Sequence, residues 1–212
     1  MKYKHIIFDF DGVIVDTEKY FRSLKIKYLT KIYFKFKNKK NISETLDGYS
    51  FNDLINKLKF IKNPKKISCI KKEYNKEKRE IYRKKIKINS YFLNILKGNK
   101  RLVFYIVSNR SKNNLIKTLK ELKIKKFFKN KNIISYYKFK SRKPDPSGYK
   151  FVLSLIPDKE LDKSLVIEDS ISGIIAAQEA GFENILRFSS KKNGSQKEIK
   201  NIKTFKELQS IL

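Results

Sequence analysis

Residues 5–18 read HIIFDFDGVIVDTE. An apolar run, Ile6, Ile7 and Phe8, leads into Asp9, and Phe10 separates that acid from Asp11. Carboxylates are rarely buried unless a partner compensates them. A continuous apolar run of this length suits a strand buried on both faces. The stretch therefore predicts a central strand over 5–10 that delivers two acids at its carboxyl end.

Four more runs rich in aliphatic and β-branched residues follow: RLVFYIVS (101–108), KNIISYY (131–137), SLVIEDS (164–170) and ENILRFS (183–189). Helical patterns lie between them. KNNLIKTLKELKI (112–124) repeats its apolar residues at Leu115, Leu119 and Leu122. PSGYKFVLSLI (146–156) and SGIIAAQEAG (172–181) follow, the last closed by Gly181. Alternating strands and helices predict an α/β fold with a Rossmann-like parallel sheet flanked by helices. Residues 17–87 break the alternation. They read as lysine-rich amphipathic helix with a glycine turn at LDGYS (46–50), inserted after the first strand. The expected organisation is a core of residues 1–16 and 88–212 with a small helical domain over 17–87. The tail begins as a polar loop, KKNGSQKE (191–198), and ends in a short helix, FKELQSIL (205–212).

The 212 residues carry a net charge of +30. A dedicated polyanion site is one reading of that charge. Yet arginine, the residue suited to bidentate contacts with bases and phosphates, appears only seven times among 51 basic residues. The charge is also spread over the whole chain. Compositional bias explains it better than specific nucleic-acid binding. No run of eighteen apolar residues occurs, so no membrane span is expected. HIIFDF lacks the design of a signal peptide, and the single Cys69 cannot form an internal disulfide. Both predict a cytoplasmic location.

Sites in parallel sheets form at the carboxyl ends of strands. Here those ends carry Asp9 and Asp11; Ser108, Asn109 and Arg110; and Glu168 and Asp169, while the loop SRKPDP presents Lys143. These are the groups that phosphoryl transfer requires. Asp9 could attack phosphorus, and Asp11, two residues on, could protonate the leaving oxygen and then activate water. Clustered carboxylates repel one another unless a cation sits among them, and oxygen ligands suit Mg²⁺. Lys143 would balance phosphate charge and the Ser108 hydroxyl would donate to a phosphoryl oxygen. Gly12, lacking a side chain, lets its backbone approach the phosphate.

DFDGVIVDT (9–17), VSN (107–109), KPDP (143–146) and IEDSISGIIAAQEAG (167–181) stand in the order and spacing of the haloacid dehalogenase-like (HAD) hydrolase superfamily, which the chain resembles over residues 5–190. The resemblance implies Mg²⁺ and a covalent aspartyl-phosphate. It makes Asp9 the nucleophile and a metal ligand. Asp11 becomes the acid/base, with its carbonyl on the metal. Asp169 binds metal, with Glu168 a direct or water-mediated helper. Ser108, with Asn109 beside it, and Lys143 hold the phosphate. The helical insertion looks like the cap of the subgroup containing phosphoglycolate phosphatase and beta-phosphoglucomutase, with Asp16 and Thr17 as the hinge. The implied substrate is a small phosphorylated metabolite.

Blander roles stand beside these. Asp9 and Asp11, taken alone, could cap a turn. Ser108–Asn109 and Asp169 could cap the helices that follow them. Arg110 suits a substrate-facing or a surface role equally, and His5 suits a surface or packing role. A mutase cap would carry a lysine before its turn glycine and an arginine after it; Asp47 and Phe51 flank Gly48 here. A phosphatase, phosphoglycolate phosphatase-like, is therefore expected ahead of a sugar phosphomutase. A polyanion-binding protein on an inactive scaffold is the alternative of another class. The sequence leaves the oligomeric state open, and a monomer is compatible with it.

Overall fold

The computed structural model describes residues 2–32, 51, 54–55, 64–98, 100–189 and 199–212. Of the expected lysine-rich insertion, the glycine turn at 46–50 and most of 51–63 lie outside the described residues, as does the polar loop 191–198. Contacts divide the chain into two compact units, Met1–Asp16 with Lys87–Leu212, and Thr17–Ile86.

The first unit is a six-stranded sheet in the order β3-β2-β1-β4-β5-β6. Its strands are β1 (His5–Phe8), β2 (Val103–Ser108), β3 (Ile133–Ser135), β4 (Ser164–Glu168), β5 (Ile185–Phe188) and β6 (Asn201–Ile202), and every pairing is parallel. β1 sits between β2 and β4, with Ile7 opposite both Tyr105 and Val166. Its apolar run is explained by that position. Ile7 points into a cluster with Tyr105, Val107, Val166, Tyr149 and Ile174. Phe8 points the other way, edge-on to Phe92 at 5.2 Å. Burying such a side chain contributes about 2–3 kcal/mol.

Helices cover both faces, as the alternation of elements predicted. After α1 (Glu18–Ile32) and α2 (Pro64–Lys84) of the second unit, those of the first are α3 (Ser90–Gly98), α4 (Lys112–Glu121), α5 (Ser147–Leu153), α6 (Ile171–Ala180) and α7 (Phe205–Ile211). Phe92 of α3 packs on Phe205 of α7 at 4.8 Å, while Tyr149 of α5 and Ile174 of α6 share the opposite cluster. α6 ends where expected: Gly181 takes φ +102°, a conformation that favours glycine. At the start of α7, Thr204 Oγ1 accepts from the Glu207 N–H at 3.2 Å.

Several elements are shorter than the apolar runs suggested. β1 stops at Phe8 and β4 at Glu168, because the chain turns there to present polar groups. β3 keeps three residues of 131–137, and Tyr136–Phe139 form a 3₁₀ turn instead. β6 was not expected. Two residues carry no periodicity, and only the free edge of β5 makes them a strand.

In the second unit, α1 (Glu18–Ile32) and α2 (Pro64–Lys84) pack together. Pro64 opens α2, where its missing N–H is harmless. Ile70, Tyr74 and Ile81 make the buried stripe of α2. Tyr74 meets Tyr28 edge-on at 5.7 Å and stacks on Phe51 at 3.9 Å. Cys69 is exposed. Among the described residues, no helix is long and apolar enough to cross a membrane.

Candidate active site

The carboxyl ends of β1, β2 and β4 lie side by side because these strands are neighbours in register. Asp9 follows β1 directly, and its N–H donates to the Ile167 carbonyl at 3.0 Å, which anchors it to β4. Glu168 ends β4 and Asp169 follows. Carboxylate oxygens of Asp9, Glu168 and Asp169 lie within 4.8 Å of one another.

Lys143 reaches into this cluster from the loop before α5. Its Nζ donates to Asp9 Oδ1 at 2.5 Å, to the Val107 carbonyl at 3.0 Å and to Glu168 Oε1. An ammonium has three protons, and each finds an acceptor. Three contacts fix the loop. Asn109 Oδ1 accepts from the Lys143 N–H at 3.2 Å, the Asp145 N–H donates to the Arg142 carbonyl at 2.9 Å, and the Tyr136 hydroxyl donates to the Asp145 carbonyl at 2.7 Å.

Burial raises the Asp9 carboxyl well above the usual range; Lys143 opposes this, and Glu168 and Asp169 add to it. Asp169 is pushed up to about 7, by burial first and then by Glu168. For Lys143, burial favours the neutral amine, yet the charges of Asp9 and Glu168 outweigh it and hold the ammonium above its ordinary range. Three carboxyls face one lysine, and burial together with their mutual repulsion pushes Asp9 and Asp169 toward the neutral form.

The sequence-predicted residues occupy distinct positions around this centre. Asp11 keeps its carboxylate outside the cluster of three, with Oδ2 at 3.9 Å from Arg110 Nε. Ser108 is buried, and its Oγ accepts from the Arg110 N–H at 3.2 Å. It does not cap α4, whose N-cap is Ser111. Asp169 caps nothing either; Ser170 caps α6, accepting from the Gly173 N–H at 3.1 Å. Gly12 has φ +98°, and a Cβ there would stand 1.9 Å from Asp169 Oδ2. Glycine at that position makes room for Asp169. Asp16 is exposed and Thr17 buried, with the division between units falling between them. His5 packs away from these groups, with Nε2 at 2.9 Å from Glu160 and Nδ1 at 3.1 Å from the Tyr105 hydroxyl.

Arg110, which the sequence left between a substrate-facing and a surface role, lies over the Phe10 ring at 5.1 Å and donates to Thr118 Oγ1 at 3.2 Å. Sequence reasoning passed over two supports, Tyr149 and Gly173. Tyr149 donates to Glu168 Oε1 at 2.7 Å. Burial, then the Glu168 charge, push its phenol well up, so it stays a donor. Gly173 makes room for the Glu168 carboxylate, 2.1 Å from where a Cβ would stand. Gly173 lies inside a quoted motif and was open to notice. Tyr149 sits in an amphipathic helix, where a tyrosine reads as ordinary core.

An α/β core with three carboxylates at adjacent strand ends, gripped by a lysine from a nearby loop, is the frame of a phosphoryl-transfer hydrolase. The family model described as haloacid dehalogenase-like hydrolase matches residues 6–186, and the chain belongs to that family. A phosphorylated carbohydrates phosphatase from Thermotoga maritima is 26% identical over 186 residues, covering 85% of this chain and 82% of the relative. Among solved structures, a candidate beta-phosphoglucomutase from Thermotoga maritima superposes with TM-score 0.74 at 22% identity, covering 98% of this chain and 97% of that one. CbbY from Rhodobacter sphaeroides, in complex with xylulose 1,5-bisphosphate, gives TM-score 0.71 at 18% identity, covering 97% and 96%.

Proposed function

We propose that the protein is a cytoplasmic, Mg²⁺-dependent phosphatase that hydrolyses a small phosphorylated carbohydrate through an aspartyl-phosphate on Asp9. The observation that carries this reading is the buried contact of Lys143 with Asp9 and Glu168, beside Asp169. It is a nucleophile gripped by a cation within a carboxylate cluster. The phosphatase relative supports the substrate class.

The donors fit Mg²⁺. They are carboxylate oxygens, with neither thiol nor imidazole among them. Asp9, Asp169 and the Asp11 carbonyl would hold the ion, with Glu168 a direct or water-mediated helper. When bound, Mg²⁺ would favour the ionised carboxylates and neutralise phosphoryl oxygens.

Lys143 engages Asp9 Oδ1, which leaves Oδ2 to attack phosphorus. As the Asp9–phosphorus bond forms, the bond to the substrate oxygen breaks, and Asp11 gives that oxygen its proton. Water then attacks phosphorus and passes a proton to Asp11. The Asp9–phosphorus bond breaks, phosphate leaves, and both carboxyls are restored. Ser108 Oγ accepts from Arg110, so its own proton is left to donate to a phosphoryl oxygen, with Asn109 and the Gly12 backbone beside it. Residues 17–87 act as the cap that selects the substrate, and Asp16 and Thr17 are its hinge.

A phosphomutase is the rival reading. It would need a second phosphate gripped from the cap. Phe51, where that grip would require a cation, is 3% exposed and stacked on Tyr74, which favours hydrolysis.

With Mg²⁺, the protein should release phosphate from p-nitrophenyl phosphate and from members of a sugar-monophosphate panel. Asp9→Asn should lower turnover by at least about 10³-fold. A wild type inert across the panel would sink the reading. Glucose 6-phosphate appearing from beta-glucose 1-phosphate with a bisphosphate primer would replace hydrolysis with mutase chemistry.

A further inference from the structure

Tyr149 stands one contact behind the proposed nucleophile's lysine. It is 0% exposed, in α5. Its hydroxyl donates to Glu168 Oε1 at 2.7 Å, the same oxygen that accepts from Lys143 Nζ. The Lys143 ammonium lies 5.3 Å from the centre of the Tyr149 ring, so the ring walls the lysine as well. An edge-on contact with Phe182 at 5.9 Å holds the plane of the ring.

Glu168 is locked on both oxygens. Oε1 meets Lys143 and Tyr149, while Oε2 accepts from Ser170 Oγ at 3.1 Å and from the Ser170 N–H at 3.4 Å. Gly173 lies beside the carboxylate as well, where a Cβ would stand 2.1 Å from it. A carboxylate held at four points sets the position of whatever it holds in turn. Lys143 has all three protons committed, to Glu168, Val107 and Asp9. A shift of Glu168 therefore moves the ammonium relative to Asp9.

Resting on the phosphatase reading above, we propose that Tyr149 is a positioning residue: its hydroxyl fixes Glu168 and, through Glu168, sets where Lys143 holds Asp9. The residue touches neither substrate nor phosphoryl group. Its effect falls on the attack step and leaves substrate binding alone.

The test uses the full chain as wild type, Tyr149→Phe, Glu168→Gln and the double variant. Tyr105→Phe serves as control; it removes another buried hydroxyl, which meets His5 at 3.1 Å. Steady-state and single-turnover kinetics with p-nitrophenyl phosphate are measured beside melting temperature. Tyr149→Phe should lower kcat and the single-turnover rate together by about tenfold, with KM within about twofold. The double variant should be no slower than Glu168→Gln alone, since both act through one carboxylate. Tyr105→Phe should lower the melting temperature and keep kcat.

A Tyr149→Phe enzyme with wild-type kcat overturns the inference, whatever its melting temperature. So does a double variant slowed by the product of the two single effects, or a Tyr149→Phe chain that does not fold. An inert wild type removes the phosphatase reading and this inference with it. An active wild type with an equally active Tyr149→Phe removes this inference alone.

Discussion

Lys143 and Lys31 carry the same charge and meet carboxylates at similar range, yet they do different work. Lys31 Nζ lies 2.8 Å from Glu73, with the two side chains 46% and 48% exposed. Lys143 meets Asp9 and Glu168 with its side chain 3% exposed and theirs 10% and 0%. At the surface the lysine dominates, and its hydrogen bond and charge hold Glu73 below the ordinary carboxylate range. In the core burial dominates, and Asp9 moves up although its lysine, at 2.5 Å, is the closer of the two. One pair decorates a helical unit. The other is a charge arrangement that the fold must keep desolvated, and that tension is what a nucleophile and a metal site can use.

The comparison breaks most visibly at Lys143. Lys143→Met keeps the bulk but strands Asp9 and Glu168 without their cation. Loss of one partner of a buried ion pair destabilises by about 3–5 kcal/mol. Urea denaturation should register that loss, and steady-state kinetics should show activity falling by about 10³-fold. A variant as stable as wild type would mean the cluster does not depend on its lysine. A smaller effect is expected at Gly173→Ala. Alanine favours a helix by about 1 kcal/mol, but its Cβ would meet the locked Glu168 carboxylate. Overpacking of about 1–3 kcal/mol should win. The variant should be less stable and slower; net stabilisation with full activity would show that Glu168 can move aside. The smallest effect belongs to Lys31→Ala, within about 0.5 kcal/mol of wild type by denaturation, because exposed pairs contribute little. A loss of 2 kcal/mol there would erase the distinction between the two units' charges.

Much of the core was legible before any coordinates. Ile6, Ile7 and Phe8 read as a doubly buried strand, and they occupy the middle of the sheet. Alternation with helices is the reason: strands in such sheets lose both faces to helices, and their composition records it. The carboxyl-end rule gathered Asp9, Lys143, Glu168 and Asp169 in advance. Element ends were less legible. Tyr136 and Tyr137 look strand-like, but the chain turns at Ser135, whose Oγ accepts from the Tyr137 N–H. β6 exists only through pairing with β5, and pairing leaves no local mark.

Gly12 separates the two kinds of knowledge most clearly. Its place in the first motif suggested a close approach to phosphate. The geometry adds that the space is taken up by Asp169, a residue 157 positions away in the chain.

By itself, the sequence determined the α/β class, the inserted lysine-rich helices and the identity of the chemical groups, because periodicity and strand-end chemistry are local properties. It also determined the +30 charge, whose spread over the chain points to no single surface. Only the tertiary structure decided which oxygen of which acid meets Lys143, that Tyr149 closes on Glu168, and that burial outweighs the lysine at Asp9. Those outcomes depend on distances between segments far apart in the chain and on the exclusion of water. Both exist only once the strands have paired and the helices have covered them.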